Sequence, residues 1–534
     1  MTPSTDHTGR QLSRRAFLGA AALGTAGVAL GTGIGIARAD TGWPTATLTG
    51  ASATSVTPSQ FMPSTQLRRW QELANDVGLR ATGTTAQHRY VDGLVERMAQ
   101  AGIRNIVADQ VRFTRWLPSQ WSLDVIGGAG AGPAHVSWYV PYSGSTAAGG
   151  ITAPLSTEPR EGAIGLFTVE VPSLPYALLD AVDYDTPLQP HHGPGYNPFA
   201  TYDRAWLGQG SITEAMDRFK AAGAVGLIVI WDLPREAADG QYAPYDGIIR
   251  NLPALSVDRV TGARLHDVAR AGGSVRLRLQ ATVNPVTSPN MYGIIPGRTD
   301  EFVMLQSHTD GTNGLEENGP EGLLSVAQYL ARIPRHELGR SILFVMSTGH
   351  MAGQALGTEA FLRRHKGDLV ARTAAAISIE HLGARSWVPT NTGGMAMGGP
   401  ETNIVFSSPH AEMVKVGRAF HNQMGLDDNR VLRPYSTDKS GESPNGRWWP
   451  GDGEGLWRIA GLPSLQSIAG PNYLLNANFD AMPFIDIDLM RRQCIATTNA
   501  ALRLARTPRR QLQAPRADDA LWGPPLDLVN KFLL

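Results

Sequence analysis

Phe302-Val303-Met304-Leu305-Gln306-Ser307-His308-Thr309-Asp310 decides the fold. An apolar strand runs into a polar turn carrying a histidine and an aspartate, and a helical pattern follows over residues 322–333. The alternation then repeats, with strands expected over 341–347, 374–379 and 464–468 and helices over 358–365, 410–424 and 487–504. A further strand, 291–295, precedes it. Short apolar strands separated by amphipathic helices point to an α/β fold, a mostly parallel central sheet with helices on both faces. Such sheets bind ligands in the loops after the carboxyl ends of their strands. His308, Asp310, His350 and Glu380 all fall at such ends.

Upstream, helices are expected over 66–77 and 84–101, the second with Tyr90, Val91, Leu94, Val95 and Met98 on one face. Residues 103–160 read as strand-like runs broken by Gly and Pro. Residues 161–285 read as a separate α/β unit, with buried strands at 162–167, 224–230 and 252–257 and helices at 211–222 and 261–271. The expected organisation is therefore 65–160 and 286–510 as two parts of one main domain, 161–285 as an insert, 40–64 as a Thr/Ser/Pro-rich linker and 511–534 as a tail.

Residues 1–39 have the order of an export signal: charged start, Gly/Ala-rich apolar run, then the small-x-small site Ala37-Arg38-Ala39. Ser13-Arg14-Arg15-Ala16-Phe17-Leu18 resembles the address read by the twin-arginine (Tat) translocase, which would be a partner during export to the cell envelope or beyond. The 47 basic and 47 acidic residues cancel without long runs of one sign, which argues against nucleic acid as the main partner. No later apolar stretch is long enough to span a bilayer, so no stable membrane span is expected after cleavage. Cys494 is the only cysteine, so no internal disulfide can form; its place in a helical pattern suggests a buried structural thiol.

Several segments resemble the zinc exopeptidase family of secreted aminopeptidases, glutamate carboxypeptidase and glutaminyl cyclase. They are Gly78-Leu79-Arg80-Ala81-Thr82-Gly83-Thr84, Asn290-Met291-Tyr292-Gly293-Ile294-Ile295-Pro296-Gly297, Ser307-His308-Thr309-Asp310 and Gly461-Leu462-Pro463-Ser464-Leu465. The insert resembles a protease-associated domain through its Ala222-Gly223-Ala224, apolar strand and Pro253-Ala254-Leu255-Ser256-Val257. The resemblance implies two zinc ions, with His308 as a ligand and Asp310 as the carboxylate that orients it. It also implies a bridging carboxylate in Leu315-Glu316-Glu317-Asn318-Gly319, where Glu317 and Asn318 both remain open. Glu380 stands at a later ligand position, with His381 beside it.

Three positions depart from the pattern. His350 stands where the glutamate base is expected, Met351 where a ligand is expected, and Leu474-Leu475 where a late histidine is expected. A thioether is a poor zinc ligand among hard oxygens. The departures strip the second metal site and leave the first, implying one zinc on His308, Glu317 and Glu380, or none, with His350 as acid/base and Asp310 orienting His308. The expected function is an exported metallopeptidase-like hydrolase of a peptide or small-molecule amide. The alternatives are an inactive homologue serving as an extracellular binding protein and a different reaction on the same scaffold. Trp448-Trp449, in a Gly/Pro/Ser-rich stretch, is expected to form a cleft wall.

Overall fold

The computed structural model describes residues 48–516, apart from 129, 185–191, 354, 429 and 435–447. The leader at 1–39, the start of the linker and most of the tail lie outside the described residues. A 14-stranded mixed sheet organises the chain. At its centre Arg340–Ser347, Thr299–His308, Thr373–Ile379 and Ser464–Ala469 lie side by side and parallel. Their residues are buried almost throughout, as expected of strands covered on both faces.

The helices lie close to their expected places, at Ser64–Asn75, Thr85–Gln100, Gly319–Leu330, Leu356–Arg364, Ala411–Met424 and Ile487–Arg506. Local chemistry sets several starts. Thr84 accepts from the Gln87 amide, and Asp486 accepts from the Leu489 amide at 2.9 Å. Gly319–Leu330 is buried nearly all round and begins against the His308 strand. A Cβ on Gly319 would lie 1.8 Å from Ser307 Oγ, so only glycine allows this approach. Cys494 is buried, and burial pushes its thiol up to about 12, consistent with a structural role.

The region 103–160 departs from its expected broken pattern. Arg104–Ile126 is one strand of 23 residues, paired antiparallel with Ser274–Ile295 from Arg104 opposite Ile294 to Ile126 opposite Ser274. Pro118, Pro285 and Pro289 sit within this ribbon, where strand edges tolerate a missing amide. The ribbon carries the chain into and out of the insert. Strands Ile151–Ser156, Ile164–Thr168, Gly226–Ile230 and Ala254–Val257 form its parallel sheet, which joins the main sheet through Ser274–Ile295. The insert's sheet thus begins ahead of residue 161. Among the described residues no helix is long and apolar enough to cross a membrane.

His421, on Ala411–Met424, illustrates the polar interior. Its Nε2 donates to the Asn403 carbonyl at 2.9 Å, and burial lowers its pKa to about 4. An unfolded histidine titrates near pH 6.5. Between these values the unfolded chain binds a proton that the folded chain refuses, so stability falls as pH drops through the window. Urea melts should show the wild type losing up to about 3 kcal/mol more than His421→Gln between pH 6.5 and 4. Equal losses would refute the assignment.

Candidate metal centre

The carboxyl ends of the central parallel strands bring His308, His350, Glu380 and the loop 311–318 together. Every side chain of the cluster is buried. His308 Nδ1 donates to the Asp310 carbonyl at 2.8 Å, and His381 Nδ1 donates to the Ala469 carbonyl at 2.5 Å. Both rings therefore present an unprotonated Nε2 inward. Burial keeps them neutral, His308 well below the usual range and His381 at about 3. His381 has φ 55°, a left-handed conformation uncommon for a residue with a side chain. Such strain gathers at functional sites.

Glu380 Oε1 accepts from the Asp452 amide at 3.0 Å. Its Oε2 has no hydrogen-bond partner and lies 3.9 Å from both His308 Nε2 and His381 Nε2, which are equally unpartnered. Three buried ligand atoms thus face one point. Ligands of a tetrahedral zinc ion lie about 3.4 Å apart, so a small contraction would close the set. Glu316 borders the same point: its carboxylate and the two imidazole nitrogens lie within 4.8 Å of one another. Without a cation, burial and then Asp452 raise the Glu380 carboxyl to about 8. Burial also accounts for the rise of Asp310 to about 6. Two imidazoles and a carboxylate are a fitting donor set for a divalent ion such as zinc.

His350 is placed differently from a free base. Its Nδ1 donates to Asp452 Oδ1 at 2.7 Å, its Nε2 lies 2.9 Å from Glu316 Oε1, and its ring stacks on His308 at 4.0 Å. Burial alone would lower its pKa, but the Asp452 and Glu316 carboxylates override this and hold it well above the usual range. Asp452 also accepts from Ser347 and Thr358, which fixes its carboxylate.

The loop sorts its acidic residues in a way the sequence left open. Asn313 Oδ1 accepts from the Leu315 and Glu316 amides, turning Glu316 inward, where its Oε2 accepts from the Thr312 amide at 3.2 Å. Glu317, an expected ligand, instead faces Arg80 at 3.0 Å. Asn318 clasps the Leu382 backbone through both amide atoms. Asp310 orients His308 through its backbone carbonyl; its carboxylate accepts from Thr82 at 2.5 Å and the Met351 amide at 3.0 Å. Met351 and Leu474 are buried, and the Leu474 carbonyl holds Thr312 and Asn313 in place.

A cavity of about 210 Å³ opens onto Glu316, His350, Glu380 and His381. Trp448 lines it, whereas Trp449 is core, parallel to Phe406 and donating to Gln466. The expected tryptophan wall is therefore a single side chain.

No protein-family model and no curated protein matches the sequence. Solved structures do. A zinc aminopeptidase from Bacillus subtilis superposes with a TM-score of 0.56 at 14% identity, over 82% of this chain and 94% of that one. A peptidase M28 precursor from Shewanella amazonensis gives 0.55 at 16%, over 83% and 96%. An aminopeptidase from Aneurinibacillus sp. strain AM-1 gives 0.53 at 13%, over 82% and 93%. At such low identity the likeness is one of architecture, and on that ground this chain has the α/β fold of the zinc aminopeptidases.

Proposed function

We propose that the protein is an exported, single-zinc hydrolase of a peptide or other amide bond. The observation that carries this reading is the convergence of three unpartnered buried atoms, His308 Nε2, His381 Nε2 and Glu380 Oε2. His381 takes the ligand role that the sequence pattern gave to Glu317. The leader residues Arg14 and Arg15 and the site Ala37-Arg38-Ala39 support export through the twin-arginine translocase. The strand and helix order of the insert supports a protease-associated character.

When bound, zinc supplies Lewis acidity toward the scissile carbonyl and the attacking water. Glu316, beside the ligand atoms and facing the cavity, accepts the proton of that water. His350, kept cationic by Asp452, donates a proton to the leaving nitrogen and is recharged from Glu316 across their 2.9 Å contact. His308 and His381 stay neutral and hold position through their backbone acceptors.

Elemental mass spectrometry of mature protein folded with zinc tests this. About one ion per chain is expected, lost in His308→Ala, His381→Ala and Glu380→Ala. Two ions would overturn the single-metal site, and none would leave a binding protein in the old cleft.

A further inference from the structure

The cavity beside the metal centre is walled mainly by apolar side chains. The insert contributes Leu174, Leu179, Tyr202 and Trp206, and the main sheet contributes Phe406 and Trp448. Tyr202 and Trp206 both donate to the Gly470 carbonyl, at 3.0 and 2.9 Å, fixing the insert's wall to the end of a central strand. Among the described residues, the only acidic or basic side chains on the lining are Glu316, His350, Glu380 and His381.

Neither carboxylate is left over. Glu316 is held by the Thr312 amide and the His350 ring, and Glu380 by the Asp452 amide on one oxygen and the imidazole pair's focal point on the other. Asp310 and Glu317 are turned away from the cavity, toward Thr82 and Arg80. A substrate ammonium entering here would lose its water against an apolar wall without a carboxylate of its own. Burying an unpaired charge is strongly unfavourable. An uncharged apolar group would fill the same space favourably.

We propose that the substrate is an amide whose acyl side is apolar and carries no free amino group: an N-acylated residue or a simple acyl amide, rather than a peptide with a free amino terminus. This rests on the hydrolase reading only for its turnover, since the cavity's preference is also a property of binding.

Two matched pairs test it on the zinc-loaded mature protein. For binding, N-acetyl-leucinamide and leucinamide are titrated by calorimetry against the wild type and Trp206→Ala. The blocked ligand should bind at least about tenfold tighter, and the advantage should shrink in Trp206→Ala. For turnover, N-acetyl-leucine p-nitroanilide should exceed leucine p-nitroanilide in kcat/KM by a similar factor. Equal or tighter binding of leucinamide, or no binding of either ligand, overturns the proposal. Tight binding of the blocked ligand with neither anilide cleaved supports the cavity assignment and refutes the hydrolase.

Discussion

His350→Ala is expected to lower kcat for N-acetyl-leucine p-nitroanilide by about 10²- to 10⁴-fold while leaving zinc content near that of the wild type. The ring touches no ligand atom's open side: its nitrogens face Asp452 and Glu316. Removing it takes away the proton donor and leaves two buried carboxylates without their shared cation. The expected signature is therefore a fall in kcat larger than any change in KM, with zinc retained by His308, His381 and Glu380. Steady-state kinetics with parallel metal analysis reads both. A variant that loses its zinc would make His350 a metal-site residue, and one that keeps full kcat would remove it from the chemistry. Asp452→Asn should shift kcat in the same direction, because the amide no longer holds the charge on the ring.

Arg80→Met is expected to destabilise the fold by about 3–5 kcal/mol, enough to unfold a sizeable fraction of a marginal protein at 37 °C. Arg80 is fully buried. It faces Glu317 at 3.0 Å, donates to the Glu317 and Ala74 carbonyls, and lies 3.7 Å over the Tyr90 ring. Burial pushes the Glu317 carboxyl upward and Arg80 opposes that push. Methionine fills the volume without the charge, so Glu317 must then be buried without its cation. Chemical denaturation reads the loss. Glu317→Gln in the Arg80→Met background should recover part of it, because the orphaned carboxylate is gone. No recovery would assign the loss to packing over Tyr90 instead.

The strand and helix alternation after residue 290 was legible because each element is long and strongly periodic. The strand-end positions of His308 and Glu380 followed from it. Glu316 and Glu317 are neighbours of identical type, and only the Asn313 clasp and a distant arginine decide which one turns inward. Asp452 carries no signature of its role, because it lies in a Gly-, Pro- and Ser-rich stretch without periodicity. His381 was visible beside Glu380, yet its left-handed backbone, which aims the ring, has no signature in a histidine. The long ribbon was hidden by its prolines, which read as breaks until a two-stranded partner supplies edges that need no amide.

That ribbon also sets an order of assembly. Its innermost rung joins Ile126 to Ser274 and its outermost joins Arg104 to Ile294. The residues looped between the inner pair, 127–273, include most of the expected insert. Closing that loop as flexible chain would sacrifice entropy before any rung rewards it. Once structure within residues 127–273 has brought its ends side by side, pairing can zip outward, rung by rung. The last rungs deliver Met291–Ile295 to the partner strand at 342–346 in fixed register. Pairing of the ribbon thus prepares the central sheet, and substitutions that weaken it should slow formation of a candidate metal centre to which it contributes no ligand.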